Sequence, residues 1–242
     1  MIRKSIIVFI FLLNIVYAQN SSNNVGQQIW LDFNPQRELD KNYTLYCEIR
    51  LRTTAPHSWT SLGLTAAVRY APDPLFYFLN RSQQEIHGGI TFLNTFNENA
   101  ENQIELRPFQ GYKIRWPHFQ FVKFTHFLRL EERFLFSSGE SNFELRGRYK
   151  IEAIVHNTKH LVDFADGLYF PISVEFLINL YSTIQFNDGL RVTPGLGYSS
   201  ESELWKAEFN FSYQYTHKAD EIDIGAYTKN TIIYRLRFYM AI

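Results

Sequence analysis

The sequence predicts an all-β protein, an antiparallel transmembrane β-barrel with twelve strands expected and ten as the alternative. Three observations lead there. Apolar and polar residues alternate with a period of two along most of the chain, which puts each set on one side of a strand and would scatter both around a helix. The polar set is dense in charge of both signs, while the apolar set is rich in aromatics near segment ends. That pattern suits a barrel whose apolar face meets lipid and whose polar face lines the interior. The composition agrees: 17% aromatic and 45% hydrophobic residues, 24 basic against 24 acidic side chains, and a mean hydropathy of −0.23. Disorder is excluded by the aromatic load. A polytopic helical membrane protein would need several apolar runs of about 20 residues. The balanced charge gives no support to a nucleic-acid binder.

The elements follow in chain order. Residues 1–18 read as a secretory signal: Arg3 and Lys4 precede the apolar run 6–16, and Val16-Tyr17-Ala18 offers a cleavage site after Ala18. Loss of the two cations leaves the mature chain slightly acidic. Residues 19–27 read as a flexible polar lead, and 28–242 as one barrel domain. In 43–52, Tyr43, Leu45, Cys47, Ile49 and Leu51 alternate with Thr44, Tyr46, Glu48, Arg50 and Arg52. The lone Cys47 thus reads as one apolar residue of a strand face. The same alternation marks 61–70, 103–115, 122–134, 142–154 and 205–215. Weaker candidates are 29–33, 86–96, 169–178 and 190–198. The last segment carries Tyr234, Leu236, Phe238, Met240 and Ile242 on one face.

Turn chemistry separates the segments at Asn34-Pro35, Ala71-Pro72-Asp73-Pro74 and Asn187-Asp188-Gly189. Bacterial single-chain barrels have even strand numbers. Residues 221–227 therefore read as a twelfth strand, and the loss of one weak candidate would give ten. Strict alternation puts Glu132 on the lipid face, which calls for a bulge or a strand end there. Trp59, Tyr70, Trp116, Phe134, Tyr198 and Tyr215 are the expected girdle residues.

The terminal segment resembles the C-terminal targeting strand of bacterial outer-membrane proteins, although it finishes on Ile242 rather than on an aromatic residue. Glu105-Leu106-Arg107-Pro108-Phe109-Gln110-Gly111 and Arg129-Leu130-Glu131-Glu132-Arg133-Phe134 carry a wider likeness. Trp30-Leu31-Asp32-Phe33, Arg146-Gly147-Arg148-Tyr149 and Gly195-Leu196-Gly197-Tyr198 extend it. From these motifs the chain resembles the domain-of-unknown-function family 2490, exported proteins of Gram-negative bacteria expected to be outer-membrane barrels. The resemblance implies location and fold, and brings no activity with it.

The chemistry-bearing set is a ladder of lumen charges. Glu105, Arg107, Lys113 and Arg115 face Lys123, Arg129, Glu131 and Arg133 on the next segment. Those face Glu144, Arg146, Arg148, Lys150 and Glu152 on the one after. Opposite charges on neighbouring strands pair favourably, by about 0.2–1 kcal/mol each. The ladder reads either as ion pairs filling a narrow barrel or as a charged pore wall that selects anionic solutes. An interior of ten to twelve strands is little wider than one that side chains fill, which favours the first reading.

Other constellations are weak. His156 and His160 are four apart in a segment that is not clearly helical, and no HExxH string accompanies the histidines, so neither metal nor cofactor is expected. Ser58 beside His57 lacks a GxSxG context, and no catalytic residue is assigned. The expected function is a non-enzymatic, porin-like barrel of the bacterial outer membrane: a structural protein or a narrow channel with a charged lumen. The alternatives are an outer-membrane enzyme acting on lipid or peptide at the rim, and a soluble periplasmic ligand-binding barrel. The expected partners are outer-membrane lipid and the barrel-assembly machinery during insertion, and no nucleic acid.

Overall fold

The computed structural model describes residues 25–242 except 56–57, 75, 77–78, 81–82, 99, 117–121, 157–166, 183–188, 203 and 217–229. Its elements are eleven strands in chain order. They are β1 (Val25–Glu38), β2 (Tyr43–Ala55), β3 (Trp59–Tyr70), β4 (Gln84–Asn97), β5 (Gln103–Arg115) and β6 (Val122–Ser137), then β7 (Glu140–Val155), β8 (Leu168–Ser182), β9 (Gly189–Ser199), β10 (Trp205–Thr216) and β11 (Asn230–Ala241). Each pairs with its sequence neighbour, and β1 pairs with β11, so the sheet closes and leaves no edge.

An odd strand count fixes how the barrel closes. Successive hairpins reverse direction, so β1 and β11 run the same way and their pairing is parallel, from Val25 opposite Asn230 to Gln36 opposite Ala241. The other neighbours are antiparallel. One end of the barrel, the β2–β3 end, holds the start of β1 and the β2–β3, β6–β7 and β10–β11 connections. The opposite, β1–β2 end holds the β1–β2, β5–β6 and β9–β10 connections and the close of β11. The tightest connection is Ser138-Gly139 between β6 and β7. Both residues have positive φ, 37° and 89°, the backbone of a primed hairpin turn whose twist matches that of the strands.

Alternation sorts the side chains. Leu31, Ile49, Leu64, Phe92, Phe176, Leu196 and Phe209 point outward and are exposed. Asp32, Arg50, Thr65, Thr91, Glu131, Glu175 and Asn210 lie on the other face and are buried. The burial pattern is therefore the reverse of a water-soluble barrel, in which apolar side chains fill the inside. Aromatic residues gather outward at strand ends. Tyr43 stacks on Tyr70 with ring centres 4.9 Å apart, and Tyr198 meets Trp205 at 5.5 Å.

Several expectations are corrected. The barrel closes with eleven strands, not twelve or ten, because β10 pairs with β9 on one side and directly with β11 on the other. Parallel closure removes the need for an even number. The expected twelfth strand at 221–227, like the signal at 1–18, lies outside the described residues. The first strand begins at Val25, so part of the segment read as a lead is already paired.

Asn34-Pro35 is strand, not turn. Pro35 has no N–H to give, but the Asn34 side-chain amide donates to the Phe238 carbonyl of β11 at 3.2 Å and ties β1 to it there. Glu132 causes no bulge, since β6 and β7 keep one register throughout. The register shift lies one strand further on, between Leu145 and Arg146 in the β7–β8 pair, and Leu145 is the residue opposite Glu132. Trp59 shares the face of buried Ser61 and so is no girdle residue; Tyr70, Trp116, Phe134, Tyr198 and Tyr215 lie on the outward face.

Candidate functional site

The polar faces of the strands meet in one interior network. Its hub is Glu131 of β6, whose side chain is 0% exposed. Arg148 donates to Glu131 Oε1 at 2.8 Å, and Arg146 Nε donates to Oε2 at 2.8 Å. Arg129 also donates to Oε1, and Arg107 stands 3.9 Å from Oε2. Register explains the convergence. Glu131 lies directly opposite Arg146, while Arg129 lies opposite Arg148, an unfavourable like-charge pair that the shared carboxylate bridges.

The network spreads sideways from that hub. Arg133 Nε donates to Glu105 at 2.7 Å and its Nη1 donates to Glu144 at 2.5 Å, while Arg107 meets Glu105 at 2.6 Å. Arg148 also donates to Glu175 of β8, which accepts from Arg191 of β9 at 2.9 Å. Most of the ladder residues are thus brought together. Four others are not part of the hub: Lys113 and Arg115 pair with Glu85 of β4, and Lys150 pairs with Glu152 along its own strand.

A second group lies across the barrel. Asp32 of β1 accepts from Arg235 of β11, and Arg237 stands 3.8 Å away. Arg235 is also 3.5 Å from Glu48, which pairs with Arg50 at 2.8 Å. Tyr169 of β8 donates to Glu208 of β10 at 2.9 Å. Its ring crosses the intervening β9 over Gly197, where a Cβ would stand 2.2 Å from Tyr169 Cζ. Only a glycine leaves room for that crossing.

Trp30 joins the two groups. It is 5% exposed, with the Arg52 guanidinium carbon 3.8 Å from its ring centre and those of Arg191 and Arg235 at 5.2 Å. Arg191 reaches it from β9, which β11 and β10 separate from β1 around the wall, so these side chains meet over the interior. Among the described residues no group of histidine, cysteine, aspartate and glutamate fits a metal ion.

Sequence reasoning placed Glu48, Arg50, Arg52 and Glu208 on polar faces but assigned them no role. Trp30 and Asp32 appeared only as a motif. The missing signal is the β1–β11 seam, which joins residues about two hundred positions apart, as in Asp32 and Arg235.

Residues 27–224 match the family model described as Protein of unknown function (DUF2490). The chain belongs to this family. The motifs around Trp30, Glu105, Glu131, Arg146 and Gly195 fall within the matched segment, and each contributes a residue to the interior just described. No curated protein and no solved structure matches the chain.

Proposed function

We propose that the protein is an integral barrel of a bacterial outer membrane, exported by a signal cleaved after Ala18, with a structural role and a packed, charged interior. One observation carries the reading. Leucine, isoleucine and phenylalanine cover the outside while carboxylates and guanidinium groups are buried inside. In water this arrangement forfeits hydrophobic stabilisation, which is roughly 25 cal/mol for each Å² of apolar surface left wet. In lipid the same face is at home, and closure of the sheet satisfies the backbone without an edge.

The interior favours a scaffold over an open channel. Glu131 and Trp30 are enclosed by arginines from several strands, and ion pairs bridge β5 through β9. Its partners on this reading are the surrounding lipid and, during insertion, the barrel-assembly machinery. Fractionation tests the reading. Retention in outer membranes after an alkaline wash supports it, and recovery in the soluble periplasm overturns it.

A further inference from the structure

We propose that Arg52, set over Trp30 on the inward faces of β1 and β2, forms with Ser61 a binding site for a small soluble oxyanion of the phosphate class. Among the described residues, Arg52 makes neither an ion pair nor a side-chain hydrogen bond through its enclosed Nε. Its level of the wall is fixed by register: Trp30 lies beside it on β1 and Ser61 on β3. Its guanidinium carbon lies over the Trp30 ring, 3.8 Å from the ring centre. Stacking uses the face of a guanidinium and leaves its edge of N–H donors free, which is the edge that recognises a planar or tetrahedral oxyanion.

No carboxylate among the described residues lies within ion-pair distance of Arg52, and its enclosed Nε has no acceptor. The nearby carboxylates pair with other arginines: Asp32 with Arg235 through Oδ2, its Oδ1 having no hydrogen-bond partner among the described residues, and Glu48 with Arg50 and Arg235. Ser61 is buried, and its Oγ accepts from Thr95 at 3.1 Å, which leaves the Ser61 proton to donate beside Arg52. Arg191 and Arg235, each 5.2 Å from the Trp30 ring, add positive field without giving up their own partners.

Position points to a solute. The site faces the interior, away from the apolar outer surface, so the headgroups of surrounding lipid do not reach it. Arg52 lies close to the end of β2 at Ala55, so its way in is from the β2–β3 end of the barrel. Arg69 supplies a built-in comparison. It also lacks an ion pair among the described residues, but it lies near the β1–β2 end, donates to Gln36 at 3.2 Å and stacks on Tyr46.

The test is calorimetric titration of the refolded full mature chain with inorganic phosphate, in a zwitterionic detergent at fixed ionic strength. Wild type is expected to bind saturably. Arg52→Gln is expected to weaken binding at least about tenfold, and Arg69→Gln to change it less than about twofold. Should Arg52→Gln fail to refold, Arg52→Lys replaces it, keeping the charge and losing the planar fork, with weakened binding again expected. Absence of saturable binding by wild type overturns the site, as does equal weakening by the Arg52 and Arg69 variants. The assay is independent of cell fractionation, because these side chains face inward whichever solvent surrounds the barrel.

Discussion

Glu131 carries more of the interior than any other side chain. It is fully enclosed and surrounded by Arg107, Arg129, Arg146 and Arg148. A buried ion pair is no great source of stability by itself, because desolvation offsets the attraction. Removal of one partner is different, since it leaves buried charge uncompensated. Glu131→Gln is therefore expected to destabilise the barrel by about 3–5 kcal/mol. Unfolding of the refolded protein in urea measures this, and a change under about 0.5 kcal/mol would mean that the arginines are solvated. Much of this site was legible in the sequence: Glu131, Arg146 and Arg148 follow from period-two alternation on neighbouring strands. Glu175 and Arg191 did not follow, because their partners depend on register across segments with weak alternation. Trp30 was legible as a motif residue but not as the contact between the two halves of the network.

At the scale of strands, the legible part was the eleven alternating segments, each of which is a strand. The illegible part was where strands continue through residues that usually stop them. Asn34-Pro35 remains in β1 because the Asn34 amide donates to β11, a bond invisible until the seam is known. Glycines show the same dependence on neighbours. Gly197 lies beneath the Tyr169 ring, whereas Gly88 has no heavy atom within 4 Å of a built Cβ. Gly197→Ala forces the Tyr169 ring off Glu208 and is expected to cost about 1–3 kcal/mol. Gly88→Ala is expected to stay within about 0.5 kcal/mol of wild type. Parallel melting of the two variants checks the pair. Equal effects would contradict the crossing of β9 by Tyr169.

Over the whole molecule, parity is the governing fact. Eleven hairpin-linked strands place the start of β1 and the close of β11 at opposite ends of the barrel and make their seam parallel. Sequence reasoning reached for twelve because single-chain bacterial barrels have even strand numbers, and local alternation says nothing about how a sheet closes. If the barrel spans the membrane, tags placed before Val25 and after Ile242 lie on opposite sides. Antibody labelling of intact and permeabilised cells is expected to find one tag exposed on intact cells and the other only after permeabilisation. Both tags exposed together, or both hidden together, would contradict parallel closure across a membrane.

The central claim is that the outward apolar face meets lipid, and the chain's single cysteine reports on it without any substitution. Cys47 is free, belongs to β2, and lies on the face opposite Glu48 and Tyr46, which bond to each other in the interior at 2.9 Å. A nitroxide attached to Cys47 in protein reconstituted into vesicles can collide with oxygen, which concentrates in hydrocarbon, or with a water-soluble nickel chelate. Electron paramagnetic resonance saturation is expected to show frequent collision with oxygen and little with the chelate. The opposite ranking, chelate over oxygen, would place this face in water and contradict the account.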